Sequence, residues 1–149
     1  MGANCGYGDT PQGRKLLAYH GPTIAVSIGL DPSWTKDQPR APRPDKTNIA
    51  ALVDTGAQET CIDSALATEL GLPVIDQRSV GGVGSFEVDV YHAQIHVERL
   101  RYTIHGGFAG IPLLKERVHV SVVLGRSFLR DCKLTYDGKT GDVTIELNI

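Results

Sequence analysis

The alternation of apolar and polar residues is clearest over Thr23–Gly29, where Ile24, Val26 and Ile28 share one face, the period-2 signature of a half-buried strand. Leu16 to Tyr19, just upstream, is a second short strand candidate. Residues 1–13 carry four glycines and one proline without periodicity and read as a flexible N-terminal arm. The segment 31–48, "DPSWTKDQPRAPRPDKTN", has four prolines that oppose ladder pairing and predicts an extended surface loop joining two antiparallel strands. Ile49 to Val53 is an apolar run that ends on Asp54. "TCIDSALATELGLP" then predicts one short helix, capped by Asp63 or Ser64 and stopped by Gly71 and Pro73.

Downstream, "RSVGGVGSFEVDVYHAQIHV" opens on a glycine cluster and continues as alternation through Phe86, Val88 and Val90, then a second strand through Ile95 and Val97. This pattern predicts a mobile hairpin over about 79–92. The last third offers an apolar strand ending at Leu124, a helical turn over Ser127 to Asp131, and a hairpin turning at Asp137 to Gly141. Many short strands, one or two short helices and Gly/Pro punctuation predict a mainly β chain, closed or sandwich-like, with residues 14–149 as a single domain.

Composition narrows the function classes. The chain of 149 residues has room for one ordinary domain. With 15 Lys+Arg against 17 Asp+Glu, the net charge of −2 gives no electrostatic reason to seek nucleic acid or an anionic membrane, and neither is expected as a partner. Cys5, Cys61 and Cys132 are irregularly spaced, without a CxxC pair, and fit reduced thiols in a cytoplasmic setting. No apolar run approaches the length of a membrane span or a signal peptide.

Asp54-Thr55-Gly56 taken alone is compatible with a plain strand-to-turn junction. Its companions change the reading. In order along the chain stand an apolar strand ending in Asp54-Thr55-Gly56-Ala57, a glycine-rich hairpin at Gly81-Gly82-Val83-Gly84-Ser85-Phe86, and an apolar strand ending Val122-Val123-Leu124-Gly125-Arg126. This order resembles the retropepsin-like aspartic proteases, both the retroviral enzymes and the retropepsin-like domain of the DNA-damage-inducible proteins, over roughly residues 22 to 147. The resemblance implies a closed β-barrel of the acid protease fold with one lobe per chain.

The resemblance also implies roles: Asp54 as a catalytic carboxylate, Thr55, Gly56 and Ala57 as its supporting loop, and Gly81, Gly82, Val83 and Gly84 as a flap over substrate. Val123, Leu124 and Gly125 would thread beneath the catalytic loop, with Arg126 opening the helical turn that follows. Retroviral members usually carry a second Asp two places after the loop glycine, paired with that arginine; here Gln58 stands there, which leaves Glu59 or backbone carbonyls as partners for Arg126. Ala57, Val83 and Val123 are expected to line a pocket for apolar side chains.

The chemistry implied is hydrolysis of peptide bonds by two carboxylates that share one proton, one activating water and the other protonating the substrate oxygen, with no cofactor or metal. Only one Asp-Thr/Ser-Gly loop is present, so the second carboxylate is expected from Asp54 of another copy in a homodimer acting on a peptide or protein substrate. The alternative is a catalytically silent peptide-binding or dimerisation module. His92 and His96 do not suggest a metal site, since positions i and i+4 of one strand stand roughly 13 Å apart. They read as surface histidines, Cys61 and Cys132 as small core residues, and Arg40, Arg43 and Lys46 as a solvated face.

Overall fold

The computed structural model describes residues 2–82, 84–115 and 119–148. In chain order its elements are β1 (Gly2–Asn4), α1 (Pro11–His20), β2 (Thr23–Gly29), β3 (Lys46–Val53), β4 (Cys61–Asp63), α2 (Ser64–Glu69), β5 (Val74–Gly82), β6 (Gly84–Val97), β7 (Tyr102–Ile111), β8 (Val122–Leu124), α3 (Arg126–Leu129), β9 (Cys132–Asp137) and β10 (Asp142–Leu147). Strands pair in the order β2-β3-β8-β4-β7-β6, and β6 returns to pair with β2, which closes a six-stranded mixed barrel. β5 extends from β6 as the outer arm of a long hairpin. A second, antiparallel sheet in the order β1-β10-β9 joins the chain's two ends. The architecture is therefore the mainly β closed barrel with few short helices that the sequence predicts.

The alternating residues are the ones that fill this barrel. Ile24, Val26 and Ile28 of β2 and Ile49, Ala51 and Val53 of β3 are buried in one continuous core with Ala93, Ile95 and Val97 of β6, and Val122 and Leu124 of β8. Burial of each large aliphatic side chain contributes about 1.5–3 kcal/mol relative to exposure, so the inward set fixes the register of every strand. Ala3, Val143 and Ile145 of the second sheet belong to the same core.

The N-terminal segment differs from the expectation of a flexible arm. Residues Gly2–Asn4 pair with Thr144–Glu146, and Ala3 and Cys5 are buried. Leu16 to Tyr19 is helical, not a strand. Thr10 caps α1 by accepting the Gly13 N–H at 2.9 Å, Pro11 occupies the first turn, and Gly21 ends the helix at φ +76°. Leu17 carries the packing of α1 into the core. The Pro-rich segment does join antiparallel β2 and β3, but Lys46 to Asn48 already lie in β3. β6 is one continuous strand where two were expected, and β4 and β7 were not anticipated. Helix α2 starts where its cap signal puts it, with Asp63 Oδ2 accepting the Leu66 N–H at 3.1 Å.

The Pro-rich loop is ordered around one buried carboxylate. Asp31 accepts hydrogen bonds from Ser33 N, Ser33 Oγ, Arg40 Nη1 and Arg43 N at 2.7–3.1 Å. Its backbone is bound in turn by the buried Gln94 of β6, which accepts the Asp31 N–H and donates to the Asp31 carbonyl. Trp34 Nε1 donates to the Arg40 carbonyl and closes the loop. These donors, the Arg43 backbone N–H foremost and then Arg40 and Ser33, hold the Asp31 carboxyl well below the usual carboxylate range.

A depressed carboxylate stabilises the fold above its unfolded pKa of about 3.9, and that contribution is lost as pH falls toward the folded value. Asp31→Asn is therefore expected to lower the thermal midpoint at pH 7. The gap from wild type stays constant down to about pH 4 and narrows below it. Thermal melts of both proteins between pH 7 and pH 2.5 check this; a gap independent of pH would show that the charge on Asp31 is not what holds the loop.

Candidate active site

β8 lies between β3, to which it is parallel, and β4, to which it is antiparallel. Residues 54–60, which link β3 to β4, must therefore pass from one side of β8 to the other, and this detour places Asp54 at the end of the apolar strand. Asp54 N donates to the Leu124 carbonyl at 3.0 Å, which continues the β3–β8 ladder to the carboxylate residue itself. The chain then turns: Asp54 Oδ1 accepts the Gly56 N–H at 2.8 Å, and the Asp54 carbonyl accepts the Ala57 N–H at 3.3 Å. Asp54 is half-buried, while Thr55 and Gly56 are exposed. A Cβ at Gly56 would stand 3.1 Å from Asp54 Oδ1, so glycine there keeps the carboxylate uncrowded.

The far side of the loop rests on the segment after β8. Arg126 N donates to the Ala57 carbonyl at 2.8 Å and Ser127 N to the Gln58 carbonyl at 3.0 Å. Thr60, buried, accepts the Gly125 N–H on Oγ1 at 3.2 Å, and its own N–H donates to Ser127 Oγ at 3.1 Å. At Gly125 the φ of −89° is one any residue adopts; what demands glycine is space. A Cβ there would lie 2.5 Å from the Glu59 carbonyl oxygen and 2.9 Å from that of Ala57, both backbone atoms that cannot swing away.

Arg126 finds its partner in the loop itself, donating from Nη1 to the Thr55 carbonyl at 2.8 Å. Of the two partners left open by Gln58, the backbone carbonyl is the one used. Glu59 instead pairs with Arg78 of β5, a contact that ties the loop to the hairpin arm. Between them opens a cleft of about 370 Å³ lined by Gln58, Glu59, Cys61, Arg78, Ser79, Val80, Ala109 and Ile111.

The candidate residues thus fall into three groups. Asp54, Thr55, Gly56, Ala57, Gly125 and Arg126 meet in one hydrogen-bonded unit. Val123 and Ala57 belong to a small apolar cluster with Leu113 and Val120, while Leu124 points the other way into the barrel core. Gly81, Gly82 and Gly84 lie at the far end of the β5–β6 ladder, where Gly82 pairs with Gly84; Val83 lies outside the described residues. Three participants escaped the sequence reading: Thr60 and Ser127, which lock the loop, and Arg78, which pairs with Glu59. Thr60 and Ser127 sit beside predicted positions, but their contact spans 67 residues and has no local signal.

Cys61 is half-buried beside this loop. Burial pushes its thiol up to about 11, and the nearby Asp54 adds to the rise. It is a neutral thiol near pH 7, unsuited to act as a nucleophile. Cys5 and Cys132 are likewise pushed up to about 11, mainly by burial. No group of three or more metal-ligating side chains occurs among the described residues.

Residues 44–131, more than half of the chain, match the family described as "gag-polyprotein putative aspartyl protease". No curated protein matches the chain in sequence. Among solved structures, it is similar to the foamy viral protease-reverse transcriptase in complex with an RNA/DNA hybrid, with 18% identity and a TM-score of 0.48, over 72% of this chain and 11% of that one. It is also similar to the simian foamy virus (mac) protease in solution, with 17% identity and a TM-score of 0.46, over 72% of this chain and 91% of that one.

The crowding at Gly125 gives a direct test of the loop's construction. Gly125→Ala is expected to cost about 1–3 kcal/mol of stability, because the new methyl must push the Glu59 and Ala57 carbonyls apart. Urea denaturation reads the cost, and a change below a few tenths of a kcal/mol would contradict the close approach.

Proposed function

The chain belongs to the family of gag-polyprotein aspartyl proteases, and on that premise we propose that it is an aspartic endopeptidase of retropepsin type, active as a homodimer with one Asp54 from each copy. The observation that carries this reading is the loop geometry. Asp54 Oδ1 is oriented by the Gly56 N–H, and Oδ2 has no hydrogen-bond partner among the described residues, leaving that edge of the carboxylate for water and a second carboxylate. Thr55 and Gly56 stand exposed beside it, on the side where a second loop would approach.

Two carboxylates held that close cannot both ionise, so the pair keeps one proton over a range of pH. The ionised member takes a proton from water as the water oxygen attacks the scissile carbonyl. The protonated member gives its proton to the carbonyl oxygen, and proton return to the departing amine completes hydrolysis. Substrate in extended form would lie between the loop and the β5–β6 hairpin, whose end at Gly81–Gly84 acts as the flap. The cleft at Cys61, Ala109 and Ile111 offers apolar contacts, rimmed by the Glu59–Arg78 pair. The cysteines are free thiols, in keeping with the reducing, cytoplasmic setting proposed for the protein.

Wild type is expected to cleave members of a peptide library with a bell-shaped pH dependence centred at acid to near-neutral pH. Asp54→Asn should lower kcat by at least about 10²-fold while leaving the fold intact. Specific activity of wild type should rise with enzyme concentration and saturate as dimer forms. Equal cleavage by both proteins would remove Asp54 from the chemistry, and peptide binding without cleavage by wild type would favour the silent binding module.

A further inference from the structure

Away from the Asp54 loop, two histidines meet at the root of the β5–β6 hairpin. In the β6–β7 ladder His92 stands opposite Gly107 and His105 opposite Gln94, so the two histidines are diagonal neighbours on the outer face of the barrel. Glycine opposite His92 leaves room for its ring, and Gln94 is turned to bind the Asp31 backbone. His92 Nε2 and His105 Nε2 lie 2.9 Å apart, with ring planes inclined by 12° and centroids separated by 5.0 Å. The centroids stand much farther apart than the two nitrogens, so the rings meet tip to tip, each presenting Nε2 to the other.

A neutral imidazole offers one N–H and one lone pair, so this contact needs one Nε2 to carry hydrogen. If both rings take the Nδ1–H form, with no net change in protonation, the two Nε2 lone pairs face each other across 2.9 Å. At metal–nitrogen bonds of about 2.0–2.1 Å, two nitrogens on adjacent corners of a square stand about 2.9 Å apart, and on a tetrahedron about 3.3 Å. The observed separation matches the square arrangement; because the rings meet tip to tip, each must turn until its lone pair leaves the N···N line by about 45° and both meet at a common apex. Imidazole ligands and tetragonal geometry select Cu²⁺ and Ni²⁺ among the divalent metals.

The surroundings suit such an ion. The two strands are joined by a continuous ladder from Val90 to Val97, so the ligands sit on a rigid frame. Trp34, held by the Pro-rich loop, packs edge-on against His105 at 5.8 Å. His96 is on the same face but is engaged by Thr103, Nδ1 to Oγ1 at 2.8 Å, so water would fill the remaining positions.

We propose that His92 and His105 form a bidentate site for Cu²⁺ or Ni²⁺ that pins β6 to β7 at the base of the hairpin. It is independent of the proteolytic reading, because neither histidine takes part in the Asp54 loop. Trp34 is the chain's one tryptophan, so its fluorescence reports the site directly.

Titration of the full chain with Ni²⁺ is expected to quench Trp34 saturably at one equivalent and to raise the thermal midpoint. His92→Gln and His105→Gln, which change exposed or half-buried surface residues, should each weaken that binding at least about tenfold. His96→Gln and His20→Gln should leave it unchanged. Absence of saturable quenching in wild type would overturn the proposal, as would quenching retained in both His92→Gln and His105→Gln or lost in His20→Gln.

Discussion

Backbone packed against backbone at Gly125 is the contact on which the candidate site depends. β8 has to accept β3 on one side and β4 on the other, and the chain that connects those two strands crosses the end of β8 at residue 125. Close crossing lets the Arg126 and Ser127 N–H groups bind the Ala57 and Gln58 carbonyls, while Thr60 accepts the Gly125 N–H and donates its own to Ser127 Oγ. The loop is therefore rigid at its shoulders. Its tip, Thr55 and Gly56, is left outward, tethered on one side by the Arg126 guanidinium.

That division explains how a carboxylate can end a core strand. Val53 is buried in the barrel core, and one residue later Asp54 keeps its backbone in the ladder while its side chain leaves the core. The cost of placing a charge at the edge of an apolar strand is limited by half-exposure and by the Gly56 N–H. A second carboxylate group, Asp31, shows the contrasting solution. It is buried and surrounded by donors until it becomes the organising centre of a loop, with no open edge left for chemistry.

Much of this was legible because its signals are local. The strand ending at Asp54, the Asp63 cap of α2, the strand ending at Leu124 and the C-terminal hairpin are each encoded within a few consecutive residues. α1 is hard to read from sequence because Leu16 to Tyr19 is too short to separate a period of 2 from one of 3.6, although Thr10-Pro11 and Gly21 mark its ends. β7 carries little periodic signal because Gly106 and Gly107 interrupt its alternation. Pairings that depend on register were beyond reach. Glu59 could have faced Arg126 or Arg78, and His92 could be judged only against His96, its neighbour in sequence, and not against His105, its neighbour in space.

The β5–β6 hairpin is the element through which these separate features meet. Near its middle, Arg78 of β5 pairs with Glu59 of the Asp54 loop; at its root, His92 of β6 faces His105; alongside, Gln94 of the same strand grips the Pro-rich loop at Asp31. These ties fix the described lower part of the hairpin to the Asp54 loop, to β7 and to the Pro-rich loop at once. The Asp54 loop that Arg78 reaches is itself locked by Thr60, Gly125 and Ser127 through bonds that span 65 and 67 residues, so hairpin and loop are set against each other by contacts far apart in sequence.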